Sequence, residues 1–460
     1  MTIHMTIHAR DRILFSVLCA GAVLLIAALW ATGALSGSMT SDTSGYFLAL
    51  SSNNPWGEAR HPLYGMVAGW FGSSATAPGD VAVVQAILHA VAALALYAGA
   101  RLGGIGGAGA MTLGIVALLS QSGLYHLRLT TPESAAISFL LLAFAGTLAI
   151  SRSVVAFWLM LPMIGIAAGT AYLLRPSFLP AIIALPALWY LLALRNGISS
   201  RLLRSVFLFC AIAAPFVVQS AVRWRATGDF NIVSFGGFQM SAMAGFMLTP
   251  EIVGRLPNEV RPTAEAMLAA RQAAETAGVL ARTPLNSAGE RSFVSAAVGY
   301  FDIYARSYDD FLQGVIQKLR RPGESWIEFN RRLQQFSAAT FIAAPIYYAA
   351  WVAGATARLF GRMLVTNATM LLALAFLLVA AFRGIVRRTG LGSPGNDLPV
   401  VSAVAAAWLA STAPLIVLIT FPATRYIDTA GILIPAIPAL LAIAIVAGRR
   451  RVPISAGDDS

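Results

Sequence analysis

The chain has 460 residues, of which 58% are hydrophobic and only 11% charged, with a mean hydropathy of +0.72; a soluble domain carries roughly 25% charged residues. An ordinary soluble globular protein is thereby excluded, and the long uninterrupted apolar runs make the fold class an all-α polytopic membrane protein. The excess of 32 basic over 20 acidic residues follows from topology, so no nucleic-acid partner is implied. Cys19 and Cys210 both fall inside apolar runs, which predicts two free thiols and no disulfide. The opening MTIHMTIH is a duplicated tetrapeptide and carries no structural weight.

In chain order, ten runs are long enough to cross the membrane, whose hydrocarbon is about 30 Å thick against about 1.5 Å of helix per residue. They are Ile13–Leu35, Val81–Ala100, Gly103–Gln121, Ser134–Ile150, Val154–Leu174, Ser177–Leu194, Ser205–Val222, Leu364–Phe382, Val400–Phe421 and Thr429–Gly448. Gly103-Gly104-Ile105-Gly106-Gly107 opens the third run. No strand precedes it and no Lys follows, so close helix packing accounts for it better than phosphate binding.

Arginine placement orients these spans. With both termini inside, the inner segments hold Arg10, Arg12, Arg101, Arg152, Arg195, Arg201, Arg204, Arg383, Arg387, Arg388, Arg449, Arg450 and Arg451 against four acids, Asp11, Asp397, Asp458 and Asp459. The short outer loops hold only Arg60, Arg128, Arg175 and Arg425, a positive-inside pattern. Three units follow. Residues 1–222 form an N-terminal transmembrane module of spans 1–7, with a first outer loop at 36–80. Residues 223–362 form a helical outer loop or cap. Residues 363–460 form a C-terminal module of spans 8–10 and a short cytoplasmic tail. Within the cap, Ala264–Leu280 and Tyr308–Leu319 are expected helices. Phe336–Phe360 is apolar enough to lie on or dip into the membrane, with Pro345 and Arg358 against a simple span.

Charge is scarce in this chain, yet nearly every outer loop carries it. The first loop offers Asp42, Glu58, Arg60, His61 and Tyr64, the second Tyr125, His126, Arg128 and Glu133, the third Arg175, and the last Arg425, Tyr426 and Asp428. A charge at the edge of hydrocarbon is costly unless paired or functional. Guanidinium forks bind phosphate, so several arginines at head-group depth suit a lipid-linked phosphate, and a carboxylate among them suits a general base. Simpler roles stand beside these. Arg128, Arg175 and Arg223 each fit a snorkelling anchor, and Asp42 fits an N-cap for a helix over Ser44–Ser51. His61 and His126, with Asp42 or Glu58, are the residues a divalent metal would use, but no tight ligand spacing supports one and none is assigned. His89 inside the second span is expected to pack between helices.

A first span is followed by an outer loop with an early acid and an aromatic helix (Asp42, Tyr46), then by Arg60-His61-Pro62-Leu63-Tyr64. Thr131-Pro132-Glu133 opens the fourth span, Arg175-Pro176 follows the fifth, and Arg425-Tyr426 precedes the last. This layout resembles the GT-C, polyprenyl-phosphate-dependent membrane glycosyltransferases, the group that includes the aminoarabinose, mannosyl and arabinofuranosyl transferases. The resemblance implies a GT-C-like core of about ten spans with juxtamembrane helices in the first outer loop. It implies an active site on the periplasmic side of the bacterial inner membrane, where membrane lipids surround the protein. The activity it implies is transfer of a sugar from a polyprenyl-phosphate donor to a glycan or glycolipid acceptor of the cell envelope, with inversion and Asp42 as general base. Arg60, Arg175, Arg425, Arg128 and His126 are then donor-phosphate ligands, and Tyr46, Glu58, His61, Tyr64 and Tyr426 line the acceptor or sugar. Two features depart from the pattern: many relatives have two adjacent acids where this chain has Ser41-Asp42-Thr43, and many end in a folded outer domain where this chain has the tail Arg449–Ser460. The nearest rival is an O-antigen ligase or polymerase type using a diphosphate-linked glycan, although the long loop holds no His. A lipid or solute transporter is the rival from another class, and should show internal repeats, interrupted spans or polar groups at the midplane, of which the sequence offers none beyond His89.

The orientation is tested by single cysteines at Ser393 and Ser287, probed with a membrane-impermeant thiol reagent. The first should react only from the inside and the second only from the outside; reversed labelling overturns the topology.

Overall fold

The computed structural model describes residues 9–280, 308, 310–363, 396–420 and 423–448. Among these, every regular element is helical, and the one strand-like feature is an isolated bridge between Ser38 and Leu129. Eight helices are long and apolar enough to cross a membrane, or nine if one bent pair counts as a span. The run Leu364–Phe382 lies outside the described residues.

Apolar composition gives α1 (Ala9–Ala31), α4 (Val81–Leu102), α7 (Pro132–Ala149), α8 (Val154–Leu174) and α10 (Arg201–Thr227) close to where the sequence places them. The third expected span, Gly103–Gln121, holds α5 (Gly107–Leu118). The chain continues past it as α6 (Gln121–Leu127), capped by Ser120, whose Oγ accepts from the Gly123 amide at 3.1 Å; α5 and α6 together are long and apolar enough to cross as one span. The tenth is corrected: Thr429–Gly448 is not one continuous span. It comprises the helix Thr424–Ala430, a run of turns, and the 13-residue helix Ala436–Gly448. Pro435 lacks an amide N–H and its ring crowds the carbonyl four residues back, which favours a break there, although α8, α10 and the helix Ala181–Arg195 each accommodate an internal proline.

Burial ranks the helices. In α7 89% of the span is buried inside the protein, whereas α1 and α10 are each 17% buried, so α7 is the centre and those two are periphery. α4 and α8 pack on α7, α10 packs on α8 and on α9 (Ala181–Arg195), and α9 meets Leu398–Thr412. The α4–α7 crossing is close because Gly99 faces backbone: a Cβ there would collide with the Ala145 carbonyl, and one at Gly103 with that of Leu148. The glycine-rich turn after α4 is indeed a packing device. Its Gly106 amide donates to the Asp397 carboxylate at 2.9 Å.

A second apolar core, built around Phe238, Phe246, Met267, Phe311, Phe329 and Leu333, forms the cap. It comprises α11 (Gly236–Met247), α12 (Pro250–Arg255), α13 (Arg261–Thr276), the turns from Asp310 and the helix Trp326–Ala343. Arg271 is fully buried in it and donates to the carbonyls of Gly245, Phe246 and Leu248 at 2.7–3.0 Å. The last turn of α11 is thus satisfied from a neighbouring helix. After Ala343 the chain turns by 101° into Pro345–Met363, the break that Pro345 predicts. Ile342 and Ile346 are 80% and 69% exposed at the bend.

The helix ends sort into two sets. Arg101 with Asp11 (2.8 Å), Asn196 with the Ser151 carbonyl (2.9 Å) and Asp397 with Gly106 lie at one end. The loops carrying Asp42, Arg60, Glu133, Arg175 and Tyr426 meet at the other.

Replacing Gly99 with Val should overpack the α4–α7 crossing and cost about 1–3 kcal/mol. A lowered thermal midpoint in detergent checks this; an unchanged midpoint contradicts the packing.

Candidate functional site

The segment between α1 and α4 folds into two short helices, α2 (Ser41–Ser51) and α3 (Leu63–Trp70). Thr40, not Asp42, takes the cap position of α2, and its amide donates to Thr43 Oγ1 at 2.9 Å. Asp42 therefore stands inside the first turn, where the helix dipole favours a carboxylate. α3 lies against α2 because Gly65 faces the Tyr46 carbonyl, where a Cβ would come within 2.7 Å. Tyr46 and Tyr64 then meet edge to face, with ring centroids 5.4 Å apart.

Arg60 returns over α2 and pairs with Asp42, Nη2 to Oδ1 at 2.6 Å. Its guanidinium lies 5.5 Å from the Tyr46 ring centroid and 4.4 Å from that of Phe235. A second unit of the same chemistry sits beside it. Arg175, just past α8, pairs with Glu133 in the first turn of α7. Its guanidinium is 4.9 Å from the Tyr426 ring and 6.0 Å from Phe178. Both members of this pair are buried. Tyr46 stands in the field of all four charges: burial pushes its phenol up to about 12, Arg60 and Arg175 oppose the rise, and Glu133 and Asp42 add to it. Gln85 of α4 ties the floor together, donating to the Tyr64 hydroxyl at 2.9 Å and to the Thr131 carbonyl at 3.1 Å. Burial raises the Tyr64 phenol as well.

Of the residues expected at the site, Asp42, Tyr46, Arg60, Tyr64, Arg175 and Tyr426 are brought together. Arg128 is exposed and makes no ion pair among the described residues, as an anchor would. Glu58 is half-buried and likewise makes no ion pair among them. His126 is buried, its ring 5.2 Å from that of Tyr125. Arg425 lies on the helix Thr424–Ala430, but its side chain is outside the described residues. Burial raises the Asp428 carboxyl and the charge of Arg362 lowers it.

His61 sits apart, on the Arg223 side. Its ring packs on Trp56 at 5.6 Å, and its Nδ1 accepts from the Leu63 amide at 3.2 Å. Arg223 itself is 1% exposed, which corrects the snorkelling assignment. It donates to the Trp56 carbonyl (2.8 Å) and to Ser234 Oγ (2.7 Å), and faces Asp229 at 3.4 Å. Arg175 is buried too, and is no lipid-facing anchor. His89 packs against Ser120 and Gly123 of the α6 turn. Among the described residues no three His, Cys, Asp or Glu side chains group as a metal centre requires.

Three contributors carry no assigned role in the sequence. Glu133 was detectable as an acid at the head of an apolar run, and Gln85 as an amide inside one. Phe235 has no such mark, because it reaches Arg60 from 175 residues away. Compared with family models, characterised proteins and solved structures, the chain matches none.

His61 generates a pH test. Burial first, and Arg223 second, lower it from 6.5 to about 4. The unfolded chain therefore binds this proton more readily, so the stability involved is complete above 6.5 and is lost as pH falls towards about 4. Thermal unfolding in detergent at several pH values should show wild type losing up to about 1.4 kcal/mol per pH unit more than His61→Gln across this window. Parallel curves would contradict the assignment.

Proposed function

We propose that the protein is an integral membrane glycosyltransferase of GT-C type. It transfers a sugar from a polyprenyl-phosphate donor to a cell-envelope acceptor on the periplasmic face of the inner membrane. The observation that supports this reading best is the double ion pair: Asp42–Arg60 and Glu133–Arg175, with tyrosines between them, at one end of membrane-crossing helices. That is the depth at which a lipid-borne phosphate presents itself, and guanidinium forks on aromatic faces are the groups that bind phosphate with fixed orientation.

In the resting site the two arginines and two carboxylates balance. During transfer the acceptor hydroxyl gives its proton to Asp42, and its oxygen lone pair forms the new bond to the anomeric carbon. The bond from that carbon to the donor phosphate breaks with its electron pair on the phosphate oxygen, which inverts the centre. Protonation of Asp42 removes the anion facing Arg60 as the leaving phosphate gains charge. The same guanidinium thus changes partner without leaving the site, a stabilisation concentrated in the transition state. Arg175 and Arg425 complete the phosphate's surroundings, and Tyr46, Tyr64 and Tyr426 offer hydroxyls and ring faces to the sugar.

The two adjacent guanidinium units also suit a diphosphate, so a ligase using a diphosphate-linked glycan is the second reading. Both are separated from a binding-only role by Asp42→Asn. That variant keeps size and fold while removing the base, so transfer from a synthetic polyprenyl-phosphate sugar should fall about 10²- to 10⁴-fold with donor binding retained. Near wild-type transfer by purified Asp42→Asn protein would sink the assignment. Transfer from the diphosphate donor alone would favour the ligase.

A further inference from the structure

Arg60 is gripped from two sides. The membrane module supplies Asp42 at 2.6 Å and the Tyr46 ring. The cap supplies Phe235, whose ring is the nearer aromatic face at 4.4 Å. Phe235 is the residue just before α11, and its ring stacks on Trp326, centroids 6.1 Å apart and planes inclined by 25°. Trp326 opens the helix Trp326–Ala343 and bonds through its indole N–H to the Ser234 carbonyl. Ser234 is in turn held by Arg223, which also holds the Trp56 carbonyl of the first loop. The short segment ending at Phe235 is therefore fastened to the cap on one side and to the Asp42 loop on the other. Its aromatic tip closes on the guanidinium that pairs with the Asp42 carboxylate.

We propose that Phe235 is a positioning residue that holds the Arg60 guanidinium against Asp42, so that the seating of the cap on the membrane bundle sets the charge arrangement of the site. A ring face attracts a guanidinium through its quadrupole, most strongly where water is excluded. An aliphatic side chain of similar bulk fills the space without that attraction. Without the ring, the guanidinium keeps its charge but loses one of the surfaces that define its orientation. The proposal concerns Arg60 geometry directly; only its effect on turnover rests on the transferase reading.

The test uses the full-length protein in detergent, with Phe235→Leu, Phe235→Trp and Phe238→Leu compared with wild type. Phe238 belongs to the same aromatic cluster, 5.4 Å from Phe235, and is buried in the cap core. Its truncation therefore reports simple loss of packing. Arg60 modification by phenylglyoxal is followed by peptide mass spectrometry. The rate should rise about tenfold in Phe235→Leu and stay near wild type in Phe235→Trp and Phe238→Leu. Unchanged Arg60 reactivity in Phe235→Leu, or an equal rise in Phe238→Leu, overturns the proposal. In sugar transfer, Phe235→Leu should lower kcat about tenfold with little change in acceptor KM, and Phe235→Trp should restore it. If wild type transfers sugar and Phe235→Leu matches it, the positioning role fails while the transferase reading stands. If no variant, wild type included, transfers sugar but Arg60 reactivity changes as expected, the transferase reading fails while the positioning role stands.

Discussion

A guanidinium withdrawn from bulk water needs an anion, a carbonyl or an aromatic face, and the architecture at the Asp42 end of this protein follows from that requirement. Arg60 comes from a loop, Arg175 from the end of α8 and Arg223 from the last turns of α10, and each finds its partners on another segment: Asp42 and Phe235, Glu133 and Tyr426, Trp56 and Ser234. In low dielectric an unpaired member of any such set would be heavily penalised. The loops are therefore held by charge as much as by apolar contact, and their register on one another is specified by which carboxylate each arginine meets. Pairing of this kind is a weak source of net stability and a strong source of geometry.

The apolar interior plays a complementary part. α7, buried almost all round, gives the bundle a rigid axis, and Glu133 is in its first turn. α4 packs on it through Gly99 and Gly103 and carries Gln85 to the floor of the site. The two cores, one between the membrane helices and one inside the cap, are bridged near the site by Phe235 and by Thr420, whose hydroxyl donates to Gln239 Oε1 at 3.0 Å. A site built across two packed bodies has a built-in dependence on their relative placement, since packed interiors shift between discrete arrangements instead of deforming smoothly.

Neutrality of the four-charge cluster has a chemical consequence under the transferase reading. A phosphate brought to two arginines that already face carboxylates is bound there by exchange of partners. The carboxylate that must accept a proton is the one whose partner is then released. One residue pair thus links acid–base chemistry to leaving-group stabilisation, which separate residues would have to coordinate through motion.

Hydrophobic periodicity and length were enough to determine an all-helical membrane protein, the position of most spans, the helical cap with its break at Pro345, and the span ends and connecting loops as the place where charge gathers. These are properties of contiguous segments, and burial in lipid or protein acts on each segment alone. Interruption of the tenth run was partly legible in Pro435, because prolines act locally. Candidate site residues were legible as a set of scarce charges at span ends, but not as pairs. Nothing in the chain order says that Arg60 meets Asp42 and not Glu58, that Arg175 meets Glu133, or that Arg223 turns inward and not toward lipid. Those choices depend on which helices are neighbours and at what crossing, and only the tertiary structure decides them. Phe235 marks the limit most clearly: its ring is one of 24 phenylalanines in the sequence, and it differs from the others by lying on the guanidinium of a residue 175 positions earlier.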